Sequence, residues 1–129
     1  MKKIKIKPDF IDIRGSIIRP IDDIVGKKIK SVSIIISDKS NVIRGNHFHK
    51  KEEHFMYILE GEVEYYEKAA NNPRAKAKKI KLVSGDLLFT GRMTSHAVVS
   101  KKRTIMVYLS TLRRTRSGDY GDTFFDKIA

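Results

Sequence analysis

The residues of this chain best suited to chemistry are its four histidines, and their spacing groups them. His47 and His49 are two apart, so on a β-strand both imidazoles point to one face, as two ligands of one ion or two groups on one substrate must. His54 opens an alternating, aromatic-rich run to Leu59 that reads as the next strand, with Lys50 to Glu53 as the charged turn between. His96 lies far on, in a loop after a Gly85-Asp86 strand start and the turn Gly91-Arg92-Met93-Thr94-Ser95. A lone histidine at a polar strand end signals nothing. Two that share a strand face, joined by two more from neighbouring strands, can close a site for a borderline divalent metal, which imidazole binds readily.

The elements that would hold such a site are strands. Lys2 to Lys7 alternates isoleucine with lysine, as an edge strand does, until Pro8 ends it. Phe10 to Arg19 reads as two short strands about a turn at Arg14-Gly15-Ser16, and Pro20 to Gly26 as loop. Ile29 to Ser37 is rich in β-branched residues, and Asp38 to Asn41 is a turn. After the histidine strands, Glu60-Gly61 signals a tight hairpin into Glu62 to Glu67. Strands are expected again at Ala75 to Val83, Leu87 to Thr90, His96 to Ser100 and Thr104 to Ser110. No segment sustains a helical period. The fold class is therefore all-β, a sandwich or small barrel with side chains pointing inward from its mouth.

Length and composition bound the rest. A chain of 129 residues with 40% hydrophobic content fits one domain and one core. We divide it into N-terminal edge strands over 1–28, a barrel core over 29–110 and a tail over 111–129. There is no apolar run long enough to span a membrane and no secretory leader pattern, so a cytoplasmic location is expected. The absence of cysteine removes disulfides, thiolate metal sites and cysteine nucleophiles, which leaves nitrogen and oxygen to hold any metal.

A formal net charge of +12 needs a cause. The excess concentrates at Lys68, Arg74, Lys76, Lys78, Lys79 and Lys81, and again at Lys101, Lys102, Arg103, Arg113, Arg114 and Arg116. One reading is a solvated, lysine-rich surface; another is an anionic small ligand such as a nucleotide diphosphate. No nucleic-acid motif accompanies the charge and the aromatics are not interleaved with it, so nucleic acid is not expected as a partner. The Ile4, Ile6 strand and the Thr123 to Ile128 tail look made for pairing, from which a homodimer is expected.

Gly45, His47, His49, His54 and Gly61, followed by Gly85, Asp86, Gly91, Met93 and His96, resemble the two motifs of the cupin superfamily. The resemblance implies a single-domain double-stranded β-helix, a jelly-roll-like barrel, with the four histidines as metal ligands. His54 stands where the family usually has glutamate, Gly91 where it has proline, Met93 where it has glycine and Ser100 where it has asparagine. His54 restores the spacing to Gly61; Glu53 is the alternative ligand if the turn is one residue shorter. Asp12-Ile13-Arg14-Gly15 with Arg44-Gly45-Asn46-His47 is similar to the dTDP-4-dehydrorhamnose 3,5-epimerase class, and Arg44 to Lys50 resembles the sugar-nucleotide 3,4-ketoisomerases. The same run with Asp122 to Ile128 most resembles the cupin domain of bifunctional capsular-polysaccharide nucleotide-sugar enzymes.

These resemblances imply epimerase or ketoisomerase chemistry on a nucleotide-linked keto sugar in surface-polysaccharide synthesis. Removing a proton beside a keto group needs a placed base and something to hold the charge that develops on oxygen. A divalent ion can do the second job. Four imidazoles without a carboxylate suit zinc first, then nickel, iron, copper or manganese, ahead of magnesium or calcium. Arg44 would grip a diphosphate. Without a metal, His47 is the candidate base, and Tyr57, Tyr66 or Tyr108 the proton donor. The competing class is a non-catalytic metal-bound cupin that binds a small ligand or a partner protein.

Overall fold

The computed structural model describes residues 3–21, 28–113 and 121–129. Among them there are twelve strands and no helix. β1 (Lys3–Lys5), β2 (Phe10–Asp12), β3 (Gly15–Ile17) and β4 (Ser31–Ser37) precede the histidine pair. β5 (Ile43–Phe48), β6 (His54–Glu60), β7 (Glu62–Ala69) and β8 (Lys78–Val83) follow. β9 (Asp86–Thr90), β10 (Thr94–Ser100), β11 (Thr104–Ser110) and β12 (Phe124–Phe125) complete the chain. No helix of the described residues is long and apolar enough to cross a membrane.

Two five-stranded sheets, β1-β9-β6-β11-β4 and β12-β5-β10-β7-β8, enclose the core, and every pairing is antiparallel. β2 and β3 form a hairpin of their own. Between the sheets lie Met56, Ile58, Val63, Tyr65, Leu82, Leu88, Val98 and Met106, with Ile35 and Ile80 against them. Each fully buried apolar side chain here stabilises the fold by about 1.5–3 kcal/mol. β6 is covered on both faces, because Phe55 and Tyr57 pack with Leu87 on its outer side beneath Ile6, Ile21 and Ile29. A strand that reads as continuous apolar sequence is therefore one that is buried twice.

β4 breaks the usual inside-outside pattern. Ser33 and Ile35 face a cavity between the sheets, while Val32, Ile34 and Ile36 point outward at 61%, 68% and 44% exposure.

One strand boundary moves and two segments find their partners. His96 sits inside β10, which begins at Thr94 and not at His96, paired to His47 on one side and Glu67 on the other. The Ile4 strand pairs with β9, and the tail's Phe124 and Phe125 pair with β5 of the same chain. β1 and β12 are each the outermost strand of their sheet, so among the described residues each pairs along one backbone edge only. Arg114, Arg116 and most of the Pro20 to Gly26 loop lie outside the described residues.

Candidate active site

β5 carries a bulge that builds the site. Its register with β10 runs His47 opposite His96 and then Gly45 opposite Ala97, so Asn46 is the extra residue. Gly45 has φ 90° and Asn46 φ 57°. Only glycine fits at position 45, because a Cβ there would come within 2.8 Å of the His96 carbonyl oxygen. Arg44 and His47 are three apart and would face opposite sides of a regular strand. Across the bulge both line the same cavity, of about 270 Å³, with His96, Ser33, Met56 and Tyr108.

The four imidazoles converge. Ring centroids of His47 and His96 are 4.8 Å apart, those of His47 and His49 also 4.8 Å, and those of His54 and His96 4.9 Å. His49, just past the end of β5, is buried, and its Nδ1 lies 2.8 Å from the Asp122 carbonyl oxygen. A carbonyl only accepts, so Nδ1 carries the hydrogen and Nε2 is the nitrogen turned toward the cluster. His96 is held likewise, Nδ1 donating to the Thr94 carbonyl at 3.0 Å. His54 Nδ1 lies 2.6 Å from the Tyr108 hydroxyl.

One acidic member of this cluster has no counterpart among the expected ligands. Glu52 is buried, its Oε2 3.1 Å from His49 Nε2 and its Oε1 accepting the Ser110 hydroxyl at 2.6 Å. Donor atoms of His49, Glu52 and His54 group within 4.8 Å, as do those of His47, His49 and His96. Glu53 belongs to neither group; its amide and carbonyl instead hold Thr111 at 2.9 and 3.0 Å. Sequence alone gave no means of choosing among the charges of that turn.

Asp122 is the second missed residue. Its carboxylate accepts the amides of Lys50, Lys51 and Glu52 at 3.0, 3.1 and 2.9 Å, which shapes the turn that delivers Glu52 and His49. Burial pushes the Asp122 carboxyl up, but the three amides, helped by His49, outweigh that and hold it below the ordinary carboxylate value. Asn46 clasps the same tail: its Oδ1 accepts the amides of Ile128 and Ala129, both at 2.9 Å.

Of the described tyrosines, Tyr108 alone lines the cavity. Tyr57 is in the outer cluster and Tyr66 donates to Glu64 at 2.8 Å on the far side of β7. The Asp12 to Gly15 hairpin does not join Arg44 and His47; Arg14 is paired with Asp12 at 2.6 Å beside a separate cavity. Arg44 donates to Ser37 Oγ at 3.0 Å and to the Ile36 carbonyl at 2.9 Å, which aims its guanidinium along the cavity wall.

No family model and no curated protein matches the sequence. Solved structures do. A 3,4-ketoisomerase from Helicobacter canadensis aligns at TM-score 0.78 and 21% identity over 97% of this chain and 90% of its own. A mutant 3,4-ketoisomerase QdtA from Thermoanaerobacterium thermosaccharolyticum, in complex with TDP-4-keto-6-deoxyglucose, aligns at 0.75 and 21% over 95% and 85%. A dTDP-4-dehydrorhamnose 3,5-epimerase from Bacillus anthracis, with TDP and PPi bound, aligns at 0.74 and 15% over 91% and 75%. The chain has a cupin fold. In this fold His47 and His96 line the cavity between the two sheets, and Met93 holds φ 54° in the turn before β10.

The donor set suits a divalent ion of the zinc type. Ligands on a tetrahedral ion bound at about 2.0–2.1 Å lie about 3.4 Å apart, so these side chains would close in by around an ångström. The 3.1 Å approach of His49 Nε2 to Glu52 Oε2 is attractive only through a shared proton or a shared cation.

Proposed function

We propose that this cupin is an epimerase or ketoisomerase acting on a nucleotide-linked keto sugar, with His47 as the base. The observation that carries the reading is the cavity: half-buried His47 and Tyr108 and exposed Arg44 open onto one apolar-walled space. A base on one wall, a hydroxyl donor on another and a cation near the rim are what proton transfer beside a keto group of an anionic substrate requires. The neighbours' bound TDP and keto sugar support the substrate class. A place in surface-polysaccharide synthesis rests on the resemblance of Asp122 to Ile128.

We propose further that a divalent ion, zinc first, is held in the cluster of His47, His49, His54 and His96, where donor atoms gather as His47, His49 and His96 and as His49, Glu52 and His54, with His47 as the base where no metal is bound. When bound, the ion would stabilise negative charge on a substrate oxygen. The Glu52 to His49 contact favours this part of the reading, and it suits equally a metal-bound module that binds a ligand without turnover. A homodimer is proposed from the exposed Val32, Ile34 and Ile36 of β4.

The test is deuterium uptake from solvent by TDP-4-keto-6-deoxyglucose, run beside elemental analysis of untagged protein. Exchange that disappears in His47→Ala supports the enzyme. Stoichiometric metal with no exchange on any keto sugar nucleotide would leave the binding module, and no metal after exposure to excess zinc would remove the metal site.

A further inference from the structure

A second cavity, of about 520 Å³, lies where the β7–β8 and β9–β10 turns meet, and shares no lining residue with the histidine cavity. Four cations line it: Lys68 from β7, Lys76 from the turn, Lys78 from the start of β8, and Arg92. Glu67 is the acidic residue among the lining residues; it stands opposite Lys78 in the β7–β8 ladder and accepts the Tyr65 hydroxyl at 3.0 Å. Three formal positive charges therefore remain in one concavity.

The rest of this surface is organised differently. Lys79, Lys81 and Lys101 each reach a carboxylate of Glu62 or Glu64 within 4.0 Å. Among the described residues, Lys68, Lys76, Lys78 and Arg92 make no such ion pair. The unpaired cations Lys68, Lys76, Lys78 and Arg92 share one concavity, whereas Arg74 and Lys102, also without an ion pair among the described residues, stand outside it. Like charges gathered in a cleft repel one another, and an anion relieves the repulsion.

The frame around these charges is fixed. Met93 and Asn71 both hold positive φ, 54° and 61°, one in each bordering turn. The Met93 carbonyl accepts the Ala70 amide at 2.8 Å, and its own amide donates to the His49 carbonyl at 2.8 Å. Backbone strain at a non-glycine residue is kept where the surrounding structure demands it, and ligand clamps are such places. The Ala70 to Met93 hydrogen bond ties the turn bearing Arg92 to the turn bearing Lys76.

We propose that this cavity is a second binding site, for a phosphate-bearing small anion of diphosphate charge or greater. Its volume admits a phosphorylated sugar or nucleoside. The site rests on charge and shape alone, so it stands whether or not the histidine cavity isomerises a keto sugar.

Calorimetric titration of the intact chain with inorganic pyrophosphate tests it. The variants are a Lys76→Gln, Arg92→Gln pair and a charge-matched control, Lys79→Gln with Lys101→Gln, all four positions being exposed. We expect saturable binding that weakens about tenfold or more in the cavity pair and about twofold or less in the control, whose surface ion pairs contribute little. Titrating nucleoside diphosphate and sugar phosphate in parallel distinguishes the sources of the phosphate. No saturable binding, equal weakening in both pairs, or loss on Arg44→Ala with the cavity pair unaffected would each overturn the proposal.

Discussion

The Tyr108 hydroxyl and His54 Nδ1 are 2.6 Å apart, with their rings 4.2 Å between centroids, although β11 and β6 bring them together from 54 positions apart in sequence. This contact ties the tyrosine of the cavity wall to the imidazole cluster. Tyr108→Phe keeps the ring packing and removes the hydroxyl. Deuterium exchange into a keto sugar nucleotide should fall by about a hundredfold or more, within the range of one acid-base group, with the thermal midpoint almost unchanged. Unaltered exchange would take Tyr108 out of the chemistry.

Asp122→Ala strips three backbone amides of their acceptor and loosens the turn that carries Glu52 and His49. A loss of about 2–3 kcal/mol in urea denaturation is expected, because hydrogen bonds to a buried carboxylate are the strong ones. A change within error would show that the tail is held by other contacts.

Asn46 does two things, and two variants separate them. Asn46→Gly tolerates φ 57° but loses the clasp on Ile128 and Ala129. We expect it to fold with a C-terminus that proteases trim faster. Asn46→Val adds a β-branched side chain in left-handed backbone, so it should be the less stable of the two. Equal stability would mean that the bulge itself is not strained.

Asp86 is a buried carboxylate whose ionised form the fold favours. Burial raises its carboxyl, but the Val83 amide at 2.8 Å, Lys5 at 2.9 Å and Lys3 at 3.8 Å together bring it below 3.8. Since the folded value lies under the unfolded one, ionised Asp86 contributes fully at pH above about 4 and the contribution disappears as pH falls through the folded value. Asp86→Asn should lower stability at neutral pH and flatten the decline below pH 4. An unchanged acid limb would assign acid unfolding to other carboxylates.

Gly61 turns β6 into β7 at φ 104°, and a Cβ there would meet the Arg103 carbonyl at 2.5 Å. Gly61→Ala is expected to cost about 2 kcal/mol or more, through strain and collision with backbone that cannot step aside. A melt equal to that of the unaltered chain would show that the hairpin can shift.

Much of this was legible in the chain alone. Period-two alternation and turn residues such as Glu60-Gly61 and Ser84-Gly85 act locally, so the strands from Ser31 to Ser110 fall close to where the pattern puts them. The histidine grouping was legible for the same reason. What the sequence could not determine depends on register. Whether Arg44 joins His47 is decided by one extra residue at Asn46, against a partner strand half a chain away. Which carboxylate of the Lys50 to Glu53 turn enters the cluster is decided by Asp122, whose distance in sequence hides that it caps the turn. Alternation tells which side chains share a face of a strand. Only pairing across strands, where a one-residue slip exchanges the faces, tells which of them meet.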